Sequence, residues 1–119
     1  MSRLNPWVEI PAADFDRAVD FYNNVFKLNL VKNDWGKEKM ACFPNDEGSI
    51  SFSPGFKPAQ DGTLASFNVP DSIEEALKRA KSNGGNVVLP KTKIEAEGRG
   101  YFALLIDSEG NKIGLYGNE

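Results

Sequence analysis

Histidine is missing from all 119 residues, which removes the side chain that most often moves protons near neutral pH and a leading ligand for zinc, iron and nickel. Any catalysis falls to carboxylates, Lys, Tyr, the lone cysteine or bound water. A metal would find oxygen ligands and at most one sulfur, which leaves hard cations. Cysteine occurs once, as Cys42, so no internal disulfide can form, a usage that fits a reducing cytoplasm. With no histidine to activate its thiol, Cys42 is expected to be a small packing residue. No apolar run approaches the roughly 20 residues of a membrane span, and Met1 to Pro6 lacks the apolar core of a signal peptide. Membrane insertion and export are therefore not expected. Positive charge is not in excess either: 14 Lys plus Arg stand against 17 Asp plus Glu, a net charge of −3, which gives no electrostatic reason to seek nucleic acid.

What is present suffices for a single domain over residues 1–119. Hydrophobic residues make up 40% of the chain, and a chain of this length buries roughly two-thirds of its unfolded surface, enough for a core without disulfides or a structural metal. Asn5 to Ala12 alternates in polarity and reads as a strand. The run after Asp14 places Phe15, Ala18, Val19, Tyr22 and Phe26 at helical spacing, with Asp14 as the cap. Strands are expected at Leu28–Lys32, Lys39–Phe43 and Ser49–Ser53, and a loop at residues 54–62. The order then repeats: strand Thr63–Val69, helix Asp71–Asn83 stopped by Gly84-Gly85, and strands Asn86–Pro90, Gly100–Ile106 and Lys112–Tyr116.

The repeat is visible in the residues themselves. Trp7 to Asp14 aligns with Leu64 to Asp71 at an offset of 57, which becomes 58 in the helices. Glu47-Gly48 and Ile50-Ser51-Phe52 align with Glu109-Gly110 and Ile113-Gly114-Leu115. The predicted fold is α+β: two tandem β-α-β-β-β modules, at residues 5–53 and 63–117, forming a curved mixed sheet around a cleft. Alternation assigns Val8, Ile10, Ala12, Ala65, Phe67, Val69, Ile50, Phe52, Ile113 and Leu115 to the helix side. The opposite face carries Trp7, Glu9, Pro11, Ser49, Ser51, Ser53, Leu64, Ser66, Asn68, Lys112, Gly114 and Tyr116, a mixture suited to lining a small-molecule cleft.

These paired units, with the phrases EIPAADFDRAVDFYNNVF (9–26) and GGNVVLPKTKIEAEGRGYFALLIDSEGNKIGLYG (84–117), resemble the vicinal oxygen chelate superfamily. That group includes glyoxalase I, extradiol dioxygenases, fosfomycin-resistance enzymes and bleomycin-binding resistance proteins. The chain is most similar to its compact bacterial glyoxalase-like members. The resemblance implies two modules around a cleft and, usually, a homodimer. It also implies a metal ligand on the first and last strand of each module. Those positions fall here on Trp7, Ser51, Leu64 and Gly114, a set unsuited to a divalent ion. No metal and no cofactor are therefore expected, and the metal-dependent chemistries are not inherited.

Each candidate residue carries two readings. Glu9, beside Trp7 on the cleft face, is either a general base or a solvated carboxylate. Asn68 either hydrogen-bonds a ligand carbonyl or is a satisfied structural amide. Trp7 and Tyr116 either wall a planar ligand or pack at an interface. Ser51 and Tyr101 are further ligand-binding candidates. Arg99, between Gly98 and Gly100, either clamps an anion or sits in a plain hairpin turn. The leading expectation is a cytoplasmic protein that binds a small organic molecule in the cleft without a metal. The alternatives are a metal-independent lyase or isomerase using Glu9, and a dimeric protein-interaction module; neither nucleic acid nor a membrane is an expected partner.

Overall fold

The computed structural model describes residues 4–119. The first module comprises β1 (Val8–Pro11), α1 (Phe15–Phe26), β2 (Lys32–Asp34), β3 (Lys39–Cys42) and β4 (Gly48–Phe52). The second comprises β5 (Ala65–Asn68), α2 (Ile73–Ser82), β6 (Asn86–Lys93), β7 (Tyr101–Ile106) and β8 (Lys112–Gly117). Each folds into a four-stranded mixed sheet, ordered β1-β4-β3-β2 and β5-β8-β7-β6, with the first strand parallel to the last and the other pairings antiparallel. This is the expected α+β architecture. The two sheets do not close on each other, so β1 and β5 each keep one edge without a sheet partner.

Local chemistry sets the element ends. The Asp14 carboxylate accepts the Arg17 amide and starts α1, while the Ser72 hydroxyl accepts the Glu75 amide and starts α2. The second helix begins later than the expected Asp71 because that carboxylate is already taken. Arg79 donates two hydrogen bonds to it, at 2.8 and 2.9 Å, and Lys27 lies at 3.2 Å. The expected strand Leu28–Lys32 is displaced to Lys32–Asp34. Lys27 ends α1 in the left-handed region (φ 56), and Asn23 then accepts the amides of Leu28 and Leu30. Those amides cannot join a ladder, although both leucines still pack on the core.

The strand pairing also corrects the repeat. Ile10 pairs with Ile50 and Phe67 with Leu115. With β1 and β5 offset by 57, Ile50 therefore corresponds to Leu115 and Ser51 to Tyr116, two residues beyond the match read from the sequence. A two-residue slip preserves the face of every side chain. It also breaks the equivalence of the two Glu-Gly pairs. Gly110 is a turn residue at φ 104, whereas Gly48 opens β4 so close to β1 that a Cβ there would overlap the Val8 carbonyl.

The core lies between the sheets and the two helices. Ile10, Ala12, Ile50, Ile113 and Leu115 are buried on the helix side, as alternation required. The modules share an aromatic cluster: the Phe67 ring from β5 lies 5.7 Å from Tyr22, 5.1 Å from Phe26 and 5.5 Å from Phe43, centroid to centroid. Pairs of this kind contribute about 0.5–1.5 kcal/mol each beyond their buried area. Cys42 departs from expectation: it stands on the opposite face at the end of β3 as an exposed free thiol, because the buried position beside it goes to Ala41.

Candidate functional site

Two turns, one from each module, decide the shape of the cleft. The β7–β8 turn docks onto the first module. Asp107 closes it by accepting the amides of Glu109, Gly110 and Asn111 on one oxygen. Its other oxygen accepts the Tyr22 hydroxyl at 2.6 Å and the Asn111 amide at 3.0 Å. Burial, then the Asp107 charge, pushes the Tyr22 phenol well above its ordinary range, so it remains a donor. Asn111 also donates to the Pro11 carbonyl at the end of β1.

Glu109 completes the dock. Its carboxylate accepts the amides of Ala13 and Asp14 at the start of α1 and is gripped by Arg17 Nε at 2.7 Å and Nη2 at 3.1 Å. A carboxylate at a helix N-terminus is favoured by the backbone dipoles as well. Burial pushes the Glu109 carboxyl up, but the bonds from Arg17, the Asp14 backbone and Ser108 outweigh it and hold it below the usual range.

The β3–β4 turn makes no such dock. Arg17 is the third residue after its helix cap, and the matching residue of α2 is Glu75. The turn carries its own glutamate, Glu47, which is exposed; its backbone carbonyl accepts the Val8 amide, while its carboxylate makes no hydrogen bond or ion pair among the described residues. Between this turn and β5 lies a cavity of about 510 Å³. Its apolar wall is Phe26, Leu28, Phe43 and Leu64; its polar groups include Asn45, Glu47, Ser66 and Asn68. A volume of that order suits a small organic ligand.

The structure distributes the sequence candidates unevenly. Asn68 lines the cavity. Tyr116 is its neighbour across the β5–β8 pairing and donates its hydroxyl to Asn118. Ser51 is buried, its hydroxyl 2.7 Å from that of Ser49. Glu9 is exposed beside Ser49 and has no hydrogen-bond or ion-pair partner among the described residues. Trp7 is about one-third exposed, just before β1. Arg99 is exposed in the β6–β7 turn, where its amide donates to Ala96. Tyr101 stands on the helix-side face with Lys91 Nζ 4.6 Å from its ring centre, away from Tyr116. Sequence reasoning passed over Leu28, Phe43, Asn45 and Glu47; the readable signal was the change from Arg17 to Glu75 between the aligned helices.

The implied metal positions do not fit a divalent ion. Ser51 offers only a hydroxyl already bonded to Ser49, and Trp7 and Leu64 offer no ligand atom. Gly114 has no side chain to offer, and the strand pairing that matches Ser51 to Tyr116 moves the fourth position there, to a hydroxyl donated to Asn118. Among the described residues, no three His, Cys, Asp or Glu side chains are grouped to hold a metal. No described helix is long and apolar enough to cross a membrane.

Comparison with known proteins agrees with the two-module fold. No curated protein matches the chain by sequence. A glyoxalase/bleomycin resistance protein/dioxygenase family enzyme from Burkholderia phytofirmans PsJN superposes with a TM-score of 0.71 at 16% identity, covering 96% of this chain and 98% of that one. The fosfomycin resistance protein FosX from Listeria monocytogenes gives 0.68 at 16% identity, covering 100% and 93%. Glyoxalase I from Zea mays gives 0.68 at 19%, covering 95% of this chain but 45% of its own, so this chain spans less than half of the maize enzyme. At these identities the likeness is one of fold. The family model itself matches residues 5–115, and on that match the chain belongs to the Glyoxalase/Bleomycin resistance protein/Dioxygenase superfamily.

Proposed function

We propose that this protein binds a small organic molecule in the cleft between its two modules, without a metal ion, and works as a cytoplasmic homodimer. The observation that carries the reading is the 510 Å³ cavity, which combines an apolar wall with a few amides and one carboxylate. The donor-poor positions Trp7, Ser51 and Leu64 support binding without a metal. Trp7 and Leu64, partly exposed beside the two free-edged strands, support a contact between copies. The single free thiol suits a reducing compartment. A lyase or isomerase step through Glu9 would need that carboxylate held against a substrate proton, and no described residue positions it.

Native mass spectrometry of the purified protein tests the reading in one spectrum. The expected result is a metal-free mass of two chains that carries an organic molecule or takes one up from an added library. A stoichiometric transition metal would overturn metal independence. A metal-free protein that takes up nothing from such a library would overturn the binding function.

A further inference from the structure

The β7–β8 and β3–β4 turns present their glutamates to opposite surroundings. Glu109 finds the Arg17 guanidinium in a bidentate grip. Glu47 lines the cavity together with Asn68 and Pro70, and α2 supplies Glu75 where α1 supplies Arg17. Among the described residues, no Lys or Arg lines the cavity, and Glu47 is its one carboxylate. Lys27, between the lining residues Phe26 and Leu28, is engaged elsewhere: it shares Asp71 with Arg79. A carboxylate at the mouth of an apolar cavity, without a protein cation, is complementary to a positively charged guest.

We infer that the cavity takes an organic cation, with an ammonium or guanidinium group on Glu47 and an aromatic or aliphatic body against Phe26, Leu28, Phe43 and Leu64. The ligand's charge fills the role that Arg17 fills at Glu109. Asn45 and Asn68 accept its remaining N–H groups through their side-chain carbonyls. This rests on the reading that the cleft binds a small molecule, and it adds the chemical class and the residue that selects it.

The test uses phenethylamine, with phenethyl alcohol and phenylacetate as neutral and anionic counterparts, titrated into the whole protein and followed by amide chemical shifts. The expected result is that the amine perturbs Leu28, Asn45, Glu47 and Asn68 and binds at least about fivefold tighter than the alcohol, the scale of a charge-assisted hydrogen bond. Phenylacetate should bind more weakly than either. Glu47→Gln should abolish the preference for the amine, whereas Glu95→Gln, an exposed carboxylate elsewhere, should leave it intact. Among the described residues the Glu47 carboxylate makes no hydrogen bond or ion pair, and the backbone bond from Val8 survives the substitution, so the variant keeps its fold. Equal affinity for the three probes, loss of the preference in Glu95→Gln, or no binding at millimolar probe would overturn the inference. Perturbation mapped to Glu9 and Tyr116 instead would overturn this seat while leaving small-molecule binding standing.

Discussion

The two places where a turn of one module approaches the other module begin from the same plan and finish differently. At one end the β7–β8 turn is locked onto α1 by Asp107, Glu109 and Asn111 acting on Tyr22, Arg17, the helix amides and the Pro11 carbonyl. At the other end the β3–β4 turn stands off α2, and a cavity opens. Two helix positions carry the difference. Where α1 has Arg17, α2 has Glu75; where α1 has Tyr22, α2 has Ala80, counted from the two caps. One end is bonded together and the other is open, so loss of side chains should be costly at the first and cheap at the second.

The largest expected break of that comparison is Asp107→Ala. It strands the Tyr22 hydroxyl and three turn amides in a buried place, and chemical denaturation should show a loss of about 3 kcal/mol or more. Glu109→Gln, which keeps the shape but loses the charge-assisted bonds to Arg17 and the helix start, should cost about 2 kcal/mol by the same measurement. Tyr22→Phe should cost about 1 kcal/mol near neutral pH. It should also remove an alkaline effect. A phenol whose folded pKa is raised gives stability that is complete below its unfolded value of about 10 and is lost as pH rises through the folded value.

The acid side has the opposite sign. Glu109, and Asp71 beside Arg79, are both held below their ordinary values in the fold. Their stability is complete above the unfolded carboxyl values of about 4 and is lost as pH falls through the folded values. Thermal unfolding across this range should therefore show a falling melting temperature, and Glu109→Gln should make the fall shallower. The smallest effect belongs to the open end: Glu47→Ala should change stability by less than about 0.5 kcal/mol. A cost at Glu47 as large as that at Glu109 would show that the second turn is also docked, and the comparison would fail.

Much of the fold was legible because it follows from period and capping. The apolar run after Asp14 could pack only as a helix, and its end at Phe26 came within the span read from spacing. The alternation around Ile10 and Phe67 told which face would meet the helices. Legibility ended where side chains chose distant partners. Arg79 and Lys27 drew Asp71 away from capping α2, and Asn23 drew the Leu28 and Leu30 amides away from β2. The cleft candidates fared similarly. Asn68 reached the cavity, but Tyr101 was carried to the helix side by its register opposite Gly117, and Ser51 was closed off against Ser49.

The sequence by itself determined the duplicated modules, the helix-facing residues and the poverty of metal ligands, since each depends on residue type and spacing within one short segment. Only the tertiary structure decided which turn docks. That outcome depends on whether a carboxylate from residue 109 meets an arginine at residue 17, and on whether Glu47 meets any cation at all. Such meetings join residues some 90 positions apart, and no local pattern encodes them.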